Sequence, residues 1–292
     1  MINIEKICCV IVTYNCGEEF LKTFNSVFNQ VGKVVIVDNG SQKNTLNILE
    51  NLEDKAKIIC LKENLGIATA LNLGVNYALK NKFEWVLTLD HDSILDKCMV
   101  RKLSECYENL DDSYKKIVVS LLPQYIEMGN NSSKNNELDE FFEVEAGITS
   151  GNMVKCSAFK SIGLFNESLF IDYVDNEFCY RIINNGFKII QIKDAILYHR
   201  LGDTQVRRFL NLKLNVSNHS VIRRYYITRN RFYCWSKYSK IAPLSIKLDK
   251  KSFIKEFIKI VLYEEEKFNK LKMILKGYKD FKKCNYGKYI NI

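Results

Sequence analysis

The sequence predicts an α/β fold: a mostly parallel sheet flanked by helices, followed by a basic helical C-terminal extension. Three observations predict it. Over the first 120 residues, short β-branched or aromatic runs alternate with longer segments of helical apolar spacing. Several of those runs stop abruptly on polar or acidic residues. Beyond residue 200 the charge balance reverses: residues 1–200 hold 21 Lys and Arg against 27 Asp and Glu, residues 201–292 hold 22 against 7. The 292 residues, 47% of them hydrophobic, suffice for one large core plus an appendage. The expected division is an α/β domain over 1–240 and the extension over 241–292.

The elements follow in order. "ICCVIVTY" (7–14) reads as a strand and "EEFLKTFNSVFNQ" (18–30) as a helix. "KVVIVDNGS" (33–41) is a strand ending on turn formers, and a polar helix covers about 42–54. "AKIICLKEN" (56–64) is a third strand. Residues 66–82 form a helix with apolar positions 67, 71, 75 and 79, and "EWVLTLD" is the fourth strand. A helix over about 97–109 and a strand at 115–122 complete the alternation. Such alternation argues βαβ units, in which ligands bind beyond the carboxyl ends of the strands. Residues 124–143 are polar and read as a loop able to act as a lid. A short helix lies within 146–165. "VDNEFCYRIINNG" (174–186) is a helix closed by Gly186, and 187–199 holds one or two strands. The remainder is mostly helical.

Composition removes several classes. The ten cysteines form no C-x-x-C and the three histidines are scattered, which argues against structural zinc. Cys8, Cys9 and Cys60 sit in apolar runs, as small buried hydrophobes of a reducing cytoplasm do. There is no signal-peptide cleavage site and no run of 18 apolar residues, so the expected location is cytoplasmic, with peripheral contact at the inner membrane face. G-x-x-x-x-G-K-[ST] and G-x-G-x-x-G are both missing, which removes P-loop and dinucleotide folds. The basic section lacks a nucleic-acid recognition module, so no nucleic-acid partner is expected.

Three strand ends carry the chemistry: Thr13-Tyr14-Asn15, Asp38-Asn39-Gly40 and Asp90-His91-Asp92. Each alone has an ordinary explanation, since Asp and Asn serve turns and helix caps, and Asp92-Ser93 could cap the following helix. A carboxylate pair separated by one residue repels itself and resists desolvation. Solvent offsets that, and so does a divalent cation. Together the three ends favour a ligand site, and hard carboxylate oxygens select Mg²⁺ or Mn²⁺ serving a phosphate-bearing substrate. A second acidic group, Asp172, Asp175 and Glu177, lies at the start of a helix. Helix-dipole stabilisation explains it, and so does a general base with a supporting or acceptor-binding carboxylate. His199, after a strand, is structural unless the fold brings it to Asp92.

"CVIVTYN", "VVIVDNGS", "ENLGIATALNLGVNYAL", "TLDHDS", "FIDYVDNEFCYRIINNGFKI" and "YHRLGD" stand in one order. In that order they resemble family-2 glycosyltransferases of the GT-A fold, a Rossmann-like architecture, and most of all the bacterial rhamnosyltransferase branch. The resemblance covers about residues 6–235. It implies that Thr13, Tyr14, Asn15, Asp38, Asn64, Gly66 and Asp90 contact the nucleotide side of a nucleotide-diphosphate sugar. It implies further that Asp92 and His199 serve the Mg²⁺ or Mn²⁺, and that Asp175 is the base. The implied reaction is inverting transfer of a sugar, rhamnose from dTDP-rhamnose, to a saccharide or lipid-linked acceptor in bacterial surface polysaccharide synthesis. Two alternatives stay open. A haloacid-dehalogenase-like phosphatase also carries a strand ending in D-x-D, but after its first strand rather than its fourth. A non-catalytic nucleotide-sugar-binding subunit would need no complete acidic set. The basic extension reads either as helices packed on the catalytic domain or as an interfacial helix on the membrane.

Overall fold

The computed structural model describes residues 2–127, 140–199, 205–209, 212–216 and 218–290. Its first half follows the expected alternation: β1 (Ile7–Thr13), α1 (Phe20–Phe28), β2 (Lys33–Asp38), α2 (Lys43–Glu50), β3 (Lys57–Cys60), α3 (Ile67–Lys80) and β4 (Trp85–Asp90). Next come β5 (Ile94–Leu95), α4 (Met99–Glu108), α5 (Asp112–Ile117), β6 (Val118–Glu127) and β7 (Phe141–Glu143). Then follow β8 (Asn152–Lys155), α6 (Cys156–Ile162), α7 (Val174–Asn184) and β9 (Lys188–His199). A hairpin of β10 (Gln205–Phe209) and β11 (Leu212–Val216) leads to α8 (Val221–Tyr238), α9 (Pro243–Tyr263) and α10 (Lys267–Lys282).

The α/β class stands, and the sheet is mixed. Its order is β3-β2-β1-β4-β8-β6-β9-β5, with β7 also on β9. Parallel pairing is confined to β3-β2-β1-β4 and β6-β9. The short β8 runs antiparallel between β4 and β6 and joins the two parallel halves. The sequence reading missed β8, because four residues between a glycine-rich turn and a helix carry little periodicity. The stretch expected as a strand at 115–122 splits instead: α5 takes 112–117 and β6 runs on to 127. At both ends the 124–143 stretch departs from the expected loop. It starts with strand residues and ends in β7, while 128–139 lie outside the described residues.

Strand β1 shows why the core has two layers. Its residues alternate faces, as the strand period requires. Ile7, Cys9 and Ile11 pack with Phe20 and Phe24 of α1 and Leu103 of α4. Cys8, Val10 and Val12 pack with Leu71 and Val75 of α3 and Phe178 of α7. Every residue of β1 is buried, as a strand covered on both faces must be.

The C-terminal helices form a third layer. Helix α10 lies against α8 closely enough that a Cβ at Gly277 would meet the Tyr225 carbonyl oxygen at 2.6 Å. Buried ion pairs reinforce the contact. Glu264 takes Arg224 and, at 3.0 Å, Lys270; Asp280 accepts from Tyr225 Oη at 2.8 Å. No helix among the described residues is long and apolar enough to cross a membrane.

Candidate active site

The carboxyl ends of β1, β2 and β4 are level, because Thr13 pairs with Asp38 and Val12 with Asp90 in the strand registers. Asp38 is fully buried, yet its oxygens are saturated: Thr13 Oγ1 donates at 3.0 Å, Ser41 N donates at 2.8 Å, and Ser41 Oγ donates as well. The Asn15 side chain accepts from Gln42 N at 2.9 Å, which ties the β1 and β2 loops together. Tyr14 is exposed beside them. Asn39 Nδ2 donates to Asn64 Oδ1 at 3.2 Å, and Asn64 Oδ1 also accepts from Gly66 N at 2.9 Å. Thr13, Tyr14, Asn15, Asp38, Asn64 and Gly66 thus meet at one edge of the sheet.

Gly66 has a structural reason to be glycine. Its φ is +91°, and a Cβ there would meet the Phe170 carbonyl oxygen at 2.6 Å. The same carbonyl accepts from Ile67 N at 2.8 Å. The β3–α3 turn is therefore bound to the segment that carries the second acidic group.

Asp90 closes β4, and Asp92 lies just beyond it. Antiparallel pairing of β5 with β9, Ile94 opposite Tyr198, brings His199 alongside them. One ligand atom each from Asp90, Asp92 and His199 lies within 4.8 Å of the others. Ser93 Oγ contacts His199 Nδ1 at 2.7 Å and in turn accepts from Ser150 Oγ at 2.7 Å. Ser93 therefore does not cap a helix; α4 begins only at Met99. Asp90 is pushed up to about 7, first by burial and then by the charge of Asp92. The two carboxylates crowd one another, and among the described residues no ion pair joins a side-chain cation to either. The donor set of two carboxylates and an imidazole fits Mn²⁺ or Mg²⁺.

The second acidic group begins on strained backbone. Phe170, Asp172 and Tyr173 all have positive φ, at 66°, 61° and 64°. Asn230 of α8 holds them: its Nδ2 lies 2.9, 2.8 and 2.9 Å from the carbonyl oxygens of Leu169, Ile171 and Asp172. Asp175 then stands in the first turn of α7, its Oδ1 accepting from Asn176 N at 2.8 Å. Burial pushes its carboxyl up to about 6, and Asp172 adds to the rise. Asp172 itself is bound by Arg223 Nη2 at 3.0 Å, while burial still holds its carboxyl above the usual range.

Glu177, expected beside the base, does otherwise. Its carboxylate is 1% exposed, accepts from Arg181 Nη2 at 2.9 Å and from Tyr238 Oη at 2.7 Å, and fastens α7 to α8. Helix positions two apart face different directions, so Glu177 turns to Arg181 and Tyr238 while Asp175 faces the pocket.

A pocket of about 390 Å³ opens beside Asp175. Asp172, Tyr173 and Asn176 line it with His219, Arg231 and the α9 residues Lys255 and Glu256. Burial, and then Arg223 and Arg224, lower His219 to about 4, so it is neutral near pH 7. The sequence reading missed this wall, since these residues belong to the C-terminal helices. It also missed Tyr125, whose hydroxyl is buried with no hydrogen-bond partner among the described residues. The charges of Asp175 and Asp90 both act on that hydroxyl.

Residues 8–167 match the model of glycosyl transferase family 2. The chain belongs to that family. It is 35% identical over 262 residues to the dTDP-rhamnosyl transferase RfbF of Shigella flexneri, covering 83% of this chain and 84% of the relative. It is 26% identical over 231 residues to the low-salt glycan biosynthesis hexosyltransferase Agl10 of Haloferax volcanii, covering 74% of each. Among solved structures, S. aureus TarS in complex with UDP-GlcNAc superposes with a TM-score of 0.61 at 17% identity, covering 94% of this chain and 80% of that one. The fold is thus that of the GT-A glycosyltransferases, and the protein is a glycosyltransferase. The phosphatase alternative has no remaining support.

Proposed function

We propose that this glycosyltransferase moves rhamnose from dTDP-rhamnose to a saccharide or lipid-linked acceptor, with inversion, in bacterial surface polysaccharide synthesis, and that its basic C-terminal section contacts the membrane peripherally. The observation that carries the reaction type is the meeting of two acidic groups at one strand edge. Asp90, Asp92 and His199 form one cluster, and Asp175 lies close enough for its charge to act on Asp90. The donor identity is supported by the relative named a dTDP-rhamnosyl transferase, matched over most of both chains.

In this reading Thr13, Tyr14, Asn15, Asp38, Asn64 and Gly66 receive the nucleoside, and Asp90 faces its ribose or the cation. Asp92 and His199 would hold Mg²⁺ or Mn²⁺, and a fold neighbour solved with UDP, GalNAc and Mn²⁺ supports that choice. Bound there, the cation would neutralise the charge that develops on the leaving diphosphate. Ser93 fixes the His199 ring through Nδ1, which leaves Nε2 for ligation.

Asp175 accepts the proton of the acceptor hydroxyl as that oxygen attacks the anomeric carbon. The nucleoside diphosphate departs from the opposite face, which inverts the configuration. A carboxyl raised to about 6 is still ionised at neutral pH and is a stronger base than an ordinary aspartate. Asp172, held by Arg223, stands beside it and raises its proton affinity further. The pocket at Asp175 takes the acceptor.

The test is a transfer assay across dTDP-, UDP- and GDP-sugars with Mn²⁺ or Mg²⁺, together with thermal shifts by the same nucleotides. Turnover with dTDP-rhamnose, lost with EDTA, supports the reading. Preference for a UDP- or GDP-sugar overturns the donor, and metal-independent transfer overturns the cation site.

A further inference from the structure

We infer that the outer face of α9 docks on an anionic lipid bilayer and so sets the acceptor pocket at headgroup level. The inference deepens the acceptor reading above and rests on it for the pocket's role.

The first observation is a stripe. Leu244, Leu248, Lys251, Lys255, Ile258 and Leu262 recur at intervals of four and three along α9, so they share one side of the helix. That side faces outward: Leu244 is 67% exposed and Leu248 65%, and Ile258 and Leu262 are exposed too. Ile254, 62% exposed, and Val261 widen the stripe. The inward side is held by buried Ile246 and Ile260. Exposed aliphatic residues at this density on one helix mark an interaction surface rather than scattered surface apolars.

The second observation concerns charge. Helix α9 carries two acids, and both are engaged inward. Asp249 accepts from Tyr173 Oη at 2.7 Å and Trp235 Nε1 at 2.8 Å; Glu256 accepts from Arg231 Nη2 at 2.8 Å. The outer side is left with Lys247, Lys251 and Lys255, all exposed, and no carboxylate of its own helix. Apolar residues interleaved with uncompensated lysines suit the boundary of an anionic bilayer. There the aliphatic side chains enter the headgroup region and the ammonium groups meet lipid phosphates. A second copy of this chain suits it less. Antiparallel pairing of two α9 stripes would bring the central Lys251 and Lys255 against their own counterparts.

The third observation ties the surface to the chemistry. Ser252, Lys255, Glu256 and Lys259 are the flank of the same helix, and they line the pocket that contains Asp175. Lys255 belongs to both the outer stripe and the pocket rim. With α9 lying on the bilayer, an acceptor anchored by a lipid tail reaches Asp175 along that flank while its tail stays in the membrane.

The experiment is co-sedimentation of the full chain with phosphatidylcholine vesicles, with and without one third phosphatidylglycerol. Binding is expected only with the anionic lipid, and to weaken as NaCl rises from about 0.1 M to about 0.5 M. Leu248→Glu with Ile258→Glu should lower the bound fraction about tenfold. Leu248→Phe with Ile258→Phe should keep it. Melting temperature and transfer to a water-soluble saccharide should be unchanged in both double variants, since the changed side chains are exposed and outside the pocket. Binding indifferent to phosphatidylglycerol and salt, or undiminished in the Glu variant, overturns the proposal. So does a dimer by light scattering that the Glu variant dissolves while wild type ignores vesicles. Vesicle binding without any sugar transfer would uphold the docking surface and bring down the proposed reaction instead.

Discussion

Two regions of this molecule bury carboxylates and treat them in opposite ways. In the α8–α10 layer every buried acid has a basic partner: Glu264 with Arg224 and Lys270, Asp280 with Lys276. At the strand edge Asp90 and Asp92 face each other with no ion-pair partner among the described residues, and Asp175 leans on a backbone N–H. At the strand edge the crowding and burial show in the proton affinities. Asp90 rises to about 7 and Asp175 to about 6, both chiefly by burial. Paired acids hold a fold together. Uncompensated acids in a cleft cost stability and are kept where proton transfer or a cation will use them.

The sharpest way to break this comparison is to neutralise one acid from each region. Asp175→Asn should lower kcat about 10²- to 10⁴-fold while leaving nucleotide-diphosphate binding and melting temperature close to wild type. If Asp175→Asn stays active and Asp172→Asn is dead, the base has been misassigned. Glu264→Gln should do the reverse. It leaves Lys270 buried without a carboxylate and Arg224 with Glu256 alone, at a cost of about 3 kcal/mol in denaturant unfolding, with kcat per folded molecule unchanged.

A smaller effect sharpens the cation side. Ser93→Ala removes the partner of His199 Nδ1 without touching the three candidate ligand residues. Mn²⁺ affinity, measured by titration of activity and by direct metal binding, should fall about 10- to 100-fold, while kcat at saturating Mn²⁺ changes little.

The pH profile tests Asp175 in the wild-type chain. Its carboxyl must be ionised to act, and its pKa lies at about 6. With the cation saturating, kcat/KM should therefore be flat above about pH 7 and fall about tenfold per unit below pH 6. Asp172 raises that value, so Asp172→Asn should move the acid limb to lower pH. A limb that stays in place would detach the profile from Asp175. The mildest expected change is Asp280→Asn, which weakens the contacts to Tyr225 and Lys276 and should cost about 1 kcal/mol with no effect on rate.

Much of the site was legible because strand ends are local. A period-two apolar run that stops on Asp38 or on Asp90 announces both the strand and the side chain at its carboxyl end, and parallel registration then levels those ends. For the same reason the strand–helix alternation of residues 7–90 and the separate basic section could be read directly. What tertiary structure alone decided depends on partners far apart in the chain. The β5–β9 pairing brings His199 to Asp92 across more than a hundred residues, and β8 inserts antiparallel between two parallel halves. Arg181 and Tyr238 claim Glu177, while Asp175, two positions earlier, is left to the pocket. Tyr173, Trp235, Arg224 and Arg231 draw the acids of α9 inward and leave its lysines outside. A sequence shows which residues carry charge. Which charges are neutralised, and therefore which remain available for chemistry or for a membrane, is set by neighbours that only the folded chain supplies.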